Sequence, residues 1–371
     1  MTRRELLALM AAAPLARAKE APTAPVSIAR CRTYDGDLTE TLSTMFDQIG
    51  GLGRIVKNKT VTIKVNLTGS PGTRFQGKPL GLTHYTHPRM AAATAHLMDR
   101  AGARRIRFVE SCWATAGPLE EYLAAADWNV GLLFGASDKV EFVNTNALGK
   151  AKQYKRLTIP GGGSIFPAYD LNPVYEDTDV FVSMAKLKNH ATCGVTLSMK
   201  NCFGITPASI YGDDAGVDEP NEKPKRGRGS VCHAGRRQPA KCSPQENDPA
   251  SSREPGYRMP RIVADLAVAR PIDLALIDGI ETVAGGEGPW IRGLRHISPG
   301  VILAGTNAVT TDTVATAVMG YDPRAIKGTA PFVDCDNTLL LAEARGVGTT
   351  NLGNIEVTGA TIREVLFPFS A

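Results

Sequence analysis

No stretch of this 371-residue chain approaches the run of roughly 20 apolar residues that a bilayer-spanning helix needs, so no stable membrane span is expected. Seven cysteines, at positions 31, 112, 193, 202, 232, 242 and 335, never fall into a C-x-x-C pair. That spacing excludes zinc-finger and iron–sulfur motifs. G-x-G-x-x-G is missing from any strand-to-helix setting, so there is no nucleotide fingerprint and a dehydrogenase loses its usual sign. Neither G-x-S-x-G nor H-E-x-x-H occurs, which leaves serine-elbow hydrolases and zincins without support. No internal repeat is visible. A formal charge of only +5 argues against nucleic acid as a partner.

What is present is an ordinary globular composition, 43% hydrophobic and 21% charged. The first residues differ from the rest. Arg3-Arg4, an apolar run Leu6–Ala16 and the small-x-small exit Ala16-Arg17-Ala18 have the layout of a secretory leader of the twin-arginine type. Residues 1–18 are therefore expected to be a signal peptide, 19–25 a linker, and 26–371 one α/β domain exported to the periplasm. Loss of Arg3, Arg4, Arg17 and Glu5 would lower the formal charge to +3. An oxidising compartment permits disulfides, and Cys232 with Cys242 is the local pair expected.

Strand-like runs recur at 26–31, 61–67, 106–109, 140–144, 180–184, 274–277 and 301–304. Helical patterns fall between several of them: after Asp37, where Glu40 would complete a capping box; from Pro88 to Gly102; near 260–270; and over 308–319. Alternation of this kind predicts a mostly parallel sheet with flanking helices, a Rossmann-like layered α/β fold. Residues 212–258 break the pattern, with Lys223, Lys225, Arg226, Arg228, Arg236, Arg237 and Lys241 and no acid between Lys223 and Lys241. They are expected to form a flexible basic insertion on the surface, either a lid over an acidic ligand or a solvated loop.

The densest chemistry lies at 179–207, where the apolar run Val180–Met184 stops at Lys186, Lys188, Asn189 and His190, and a second run delivers Lys200 and Asn201. Cations crowded against apolar runs need partners or a ligand. In parallel sheets ligands sit beyond the carboxyl ends of strands, and Asn66, Glu110, Lys186, Lys188, His190, Asp278 and Asn307 all fall near such ends. Two chemistries fit. In one, Lys186, Lys188 and Lys200, with Asn66, Asn201 and Asn307, hold a small carboxylate or phosphate while His190, Lys188 and Lys200 do proton chemistry. In the other, Asp278 and Glu287 join a histidine around a divalent metal. An exported binding protein that holds an anion or metal without turnover remains the alternative to an enzyme.

K-L-K-N-H at 186–190 followed by G-V-T-L-S-M-K-N-C-F-G at 194–204 resembles the signature of the DUF362 family, a largely uncharacterised group of α/β proteins. V-T-I-K-V-N-L at 61–67, T-H-P at 86–88, E-S at 110–111, L-I-D-G-I-E at 276–281, G-E-G-P at 286–289 and the run from Gly305 to Pro323 resemble it too. The resemblance implies the fold and the position of the site, and leaves the reaction open. Some relatives carry ferredoxin-like cysteine clusters; this chain has none.

Overall fold

Val61 and Ile63 turn to one side of their strand while Thr62 and Lys64 turn to the other, and the molecule extends that division across one large sheet. The computed structural model describes residues 21–370. The expected leader at 1–18 lies outside them. Numbering only the strands of the main sheet, these are β1 (Val26–Arg30), β2 (Thr60–Lys64), β3 (Arg105–Glu110), β4 (Val140–Asn144), β5 (Val180–Lys186), β6 (Leu274–Gly279), β7 (Val301–Gly305) and β8 (Val357–Gly359). Their order across the sheet is β8-β1-β7-β6-β5-β2-β3-β4.

All neighbours pair in parallel except on either side of β7, which runs antiparallel to both β6 and β1. The expected mostly parallel α/β architecture is therefore present. The interior strands are buried on both faces, which explains why they read as near-continuous apolar runs.

Each face has its own core. Val61, Ile63, Val180, Val182, Leu274 and Leu276 point to one, where α1 (Leu38–Gln48) contributes Leu42, Met45 and Phe46, and α2 (Pro88–Arg100) contributes Met90, Ala95 and Met98. Phe181, Ala185 and Ile277 point to the other, against Ile262, Val263 and Leu266 of one helix, 255–269, and Val309, Val314 and Val318 of another, 308–318. Each of the Val, Leu, Ile, Phe and Met side chains among them is worth roughly 1.5–3 kcal/mol of burial.

Pro88 opens α2 as expected, with His87 capping it by accepting from the Arg89 N–H. The capping box at α1 does not form. Asp37 has ψ of 50°, outside the extended region that aims a cap side chain at the helix N–H groups, and it makes no cap bond.

The basic insertion is not all surface. Val231, Cys232 and Ala240 are fully buried. A one-turn π-helix, Gly229–His233, is pinned by Arg258, whose guanidinium donates to the carbonyls of Val231 and Cys232 and pairs with Glu246. The helix at 255–269 thus supplies a buried cation that organises the loop, a partnership the loop's own composition cannot reveal. It also separates the two cysteines: Cys232 is in the core, Cys242 is exposed, and both are free thiols.

Candidate functional site

From β2 the chain adds β3 and β4 outward on one side, then returns to lay β5 on the other side of β2 and continues to β6. That reversal is the switch point where a parallel sheet leaves a crevice at its carboxyl edge. A cavity of about 460 Å³ opens there, lined by residues following β2 and β3, by the loop after β5, by the basic insertion, and by Glu287 and Trp290 after β6.

Its floor is a buried ion pair. Lys64, at the last position of β2, reaches Glu110, at the last position of β3, at 2.8 Å. Glu110 also accepts from the N–H groups of Leu67 and Ser111. Burial pushes its carboxyl up and Lys64 opposes that. Gly204 covers the pair, and a Cβ there would sit 2.6 Å from the Lys64 ammonium and 2.9 Å from Glu110 Oε1, so a side chain would have to push the ion pair aside. Asn201 locks the same corner, accepting from Lys64 and donating to the Lys64 carbonyl and to Ser183.

Lys200 and Asn201 ride on the short helix α3 (Leu197–Asn201), which starts at Leu197 with φ of +42°, a left-handed conformation that a leucine adopts only when its surroundings impose it. Asp312 imposes it. Its carboxyl accepts from the Ser198 N–H and hydroxyl at 2.8 and 2.6 Å and from the Met199 N–H at 2.9 Å. Burial pushes Asp312 up to about 7, with those hydrogen bonds pulling the other way.

Lys200 is 9% exposed, and among the described residues its ammonium has no carboxylate at ion-pair distance and no hydrogen-bond acceptor, although Glu287 attracts it from further off. It lies over the Phe203 ring, 4.6 Å from the centroid. Burial lowers its pKa below the ordinary lysine value. Arg228 stands 5.4 Å from the centroid of the same ring and donates to Ser111 and to the carbonyls of Ser111 and Thr206, with no carboxylate at ion-pair distance among the described residues. Asn66 donates to Thr68 but leaves its Oδ1 buried and unpartnered.

Two imidazoles line the same cavity in complementary tautomers. His190 Nδ1 accepts from the Thr192 N–H at 3.1 Å, which puts its proton on Nε2. His233 Nδ1 lies 3.0 Å from the Arg228 carbonyl, which can only accept, so Nδ1 carries the proton and Nε2 the lone pair. Burial first, then the charge of Lys200, pushes His190 well below the imidazole range and His233 down to about 4.

The structure brings together Asn66, His190, Lys200, Asn201 and Glu287 of the expected site residues. Lys186 is elsewhere: fully buried, it pairs with Asp278 at 2.9 Å and donates to the Tyr34 hydroxyl, which itself donates to Asp278. Lys188 is also sealed, donating to the carbonyls of His84 and Glu287 and, at 3.4 Å, to Thr68. Asn307 is at the opposite end of the sheet, because β7 is inverted and Gly305 pairs with Ala275 near the start of β6. It caps the helix that follows.

Asp278 and Glu287 do not form a metal set. Both oxygens of Asp278 are taken by Tyr34, Lys186 and the Ile280 N–H. Those of Glu287 accept from Trp290 and the Ala191 N–H. Among the described residues no three His, Cys, Asp or Glu side chains cluster as metal ligands. Sequence reasoning missed Arg228, His233, Trp113 and Trp290. The one usable signal was the acid-free basic run that contains the first two.

An α/β protein with its cationic cavity at a parallel switch point is thus the class that fold and site define. The chain belongs to the DUF362 family, a domain of unknown function whose profile matches residues 61–317. It is also similar to a thylakoid-associated protein, sll1697, of Synechocystis sp., 24% identical over 312 residues that cover 81% of this chain and 76% of the relative. No helix among the described residues is long and apolar enough to cross a membrane.

Proposed function

We propose that the cavity binds a small anion through Lys200 and Arg228, and that the protein is an enzyme in which His233 Nε2 takes a proton from that anion and gives it back. The observation that carries the reading is Lys200. A nearly buried ammonium without a partner is costly, and a bound anion relieves the cost. His233 Nε2 offers a lone pair that takes a proton and returns it as the imidazolium, while neutral His190 donates an Nε2–H hydrogen bond toward negative charge that develops on the substrate.

A binding protein without turnover is the second reading, favoured by the low pKa of His233, since a group near 4 is a poor base at neutral pH. The readings part when an anion arrives, because negative charge beside an imidazole raises its pKa. Nuclear magnetic resonance titration of the His233 ring, with and without saturating inorganic phosphate, tests both. A rise toward neutrality with phosphate supports acid–base chemistry. Phosphate binding with the ring still near 4 supports the binder. Absence of saturable binding overturns the site. Export by the twin-arginine route is likewise a proposal, resting on Arg3-Arg4 and the Ala16-Arg17-Ala18 exit.

A further inference from the structure

Two of the three tryptophans stand at this cavity, Trp113 and Trp290, and they are 44% and 48% exposed. The third, Trp128, is buried, as an indole ordinarily is. Each cavity indole rests on glycine backbone. A Cβ on Gly69 or Gly288 would fall 2.5 or 2.4 Å from the Trp290 ring, and one on Gly227 would fall 3.0 Å from the Trp113 Nε1. Trp290 is further fixed by its N–H, which donates to Glu287 at 2.9 Å. Each ring is therefore held against backbone and still keeps about half its surface uncovered.

Deeper in, the Phe203 ring has the Lys200 ammonium and the Arg228 guanidinium over it, and His233 meets it edge-on. Lys200 and Phe203 are thus buried and Arg228 partly so, while the two indoles on the same cavity wall are about half exposed. Fixed, half-covered indoles suit a flat π-face, which stacks offset or edge-on with little conformational cost.

We infer that the anion is the acidic end of a planar unsaturated ring: its carboxylate or phosphate lies at Lys200 and Arg228, and its ring lies against Trp113 and Trp290. This rests on the anion reading above and adds the class of the rest of the molecule. It makes the two tryptophans specificity-determining residues. About 460 Å³ is in the size range of small-molecule pockets and accommodates one such ring with its acidic group.

Calorimetric titration of the purified protein with inorganic phosphate, phenyl phosphate and cyclohexyl phosphate tests this, because the anionic group is shared and only the ring differs. Phenyl phosphate is expected to bind at least tenfold more tightly than phosphate and severalfold more tightly than the cyclohexyl ester. In Trp113→Leu and Trp290→Leu, examined separately, the ratio of phenyl phosphate to phosphate affinity should collapse toward one. Equal binding of phenyl and cyclohexyl phosphates overturns the planar-ring inference, as does a ratio that survives both substitutions. Binding of none of the three overturns the anion site itself, and the inference with it.

Discussion

Lys188 and Lys200 look alike in sequence, yet the structure gives them opposite expectations on replacement by methionine. Methionine keeps an apolar stem of similar length and removes the ammonium. At Lys188 that leaves the carbonyls of His84 and Glu287 in the interior without their donor. An unsatisfied buried acceptor costs about 1–3 kcal/mol, so with two of them Lys188→Met is expected to lose roughly 2–6 kcal/mol, reduced by whatever burying the charge had cost. At Lys200 no hydrogen bond is lost and one unpaired buried charge disappears. Lys200→Met should therefore unfold at the parental urea midpoint or above it. The same variant should lose its anion. A ligand at 100 times its dissociation constant stabilises the fold by about 2.7 kcal/mol, so phosphate should raise the parental urea midpoint and leave that of Lys200→Met unchanged. The reasoning fails if Lys200→Met is as unstable as Lys188→Met, or if phosphate still protects it.

His233 offers a pH test. Its pKa falls from 6.5 in the unfolded chain to about 4 in the fold, so stability is full above pH 6.5 and declines as pH drops toward 4, by about 3 kcal/mol from this group. His233→Gln should flatten the stability profile in that window, and identical slopes for variant and parent would remove the assignment. For export, replacing Arg3 and Arg4 by lysines should hold the precursor in the cytoplasm on cell fractionation, whereas unchanged export would sink the twin-arginine route.

The layered fold was legible because interior parallel strands announce themselves as short apolar runs with polar residues at their ends. The site was legible in part. Runs such as 186–190 mark where a strand ends, but they do not say which ammonium a carboxylate from a neighbouring strand will neutralise. Lys186 is paired because Asp278 is its cross-strand neighbour; Lys64 is paired because Glu110 ends the adjacent strand. Asn307 misled for a different reason. The polarity of β7 is a property of the connection, and a strand's residues read the same in either direction. Arg228 and His233 were hidden because their loop is anchored by Arg258, whose partners lie outside its own helix.

The cavity walls come from regions that are far apart in the chain: the ends of β2 and β3, the 190–204 stretch, the insertion around 228–233, and the turn at 287–290. No single fragment carries enough of the wall to hold a ligand. Occupancy is therefore a report on completed folding, since a chain that has yet to dock its insertion lacks both Arg228 and His233. A protease cut near that insertion would leave most of the sheet intact and still free the piece that closes the site. Loss of binding should then precede loss of secondary structure, and the ligand, once bound, would act as a clasp between the two halves of the sheet.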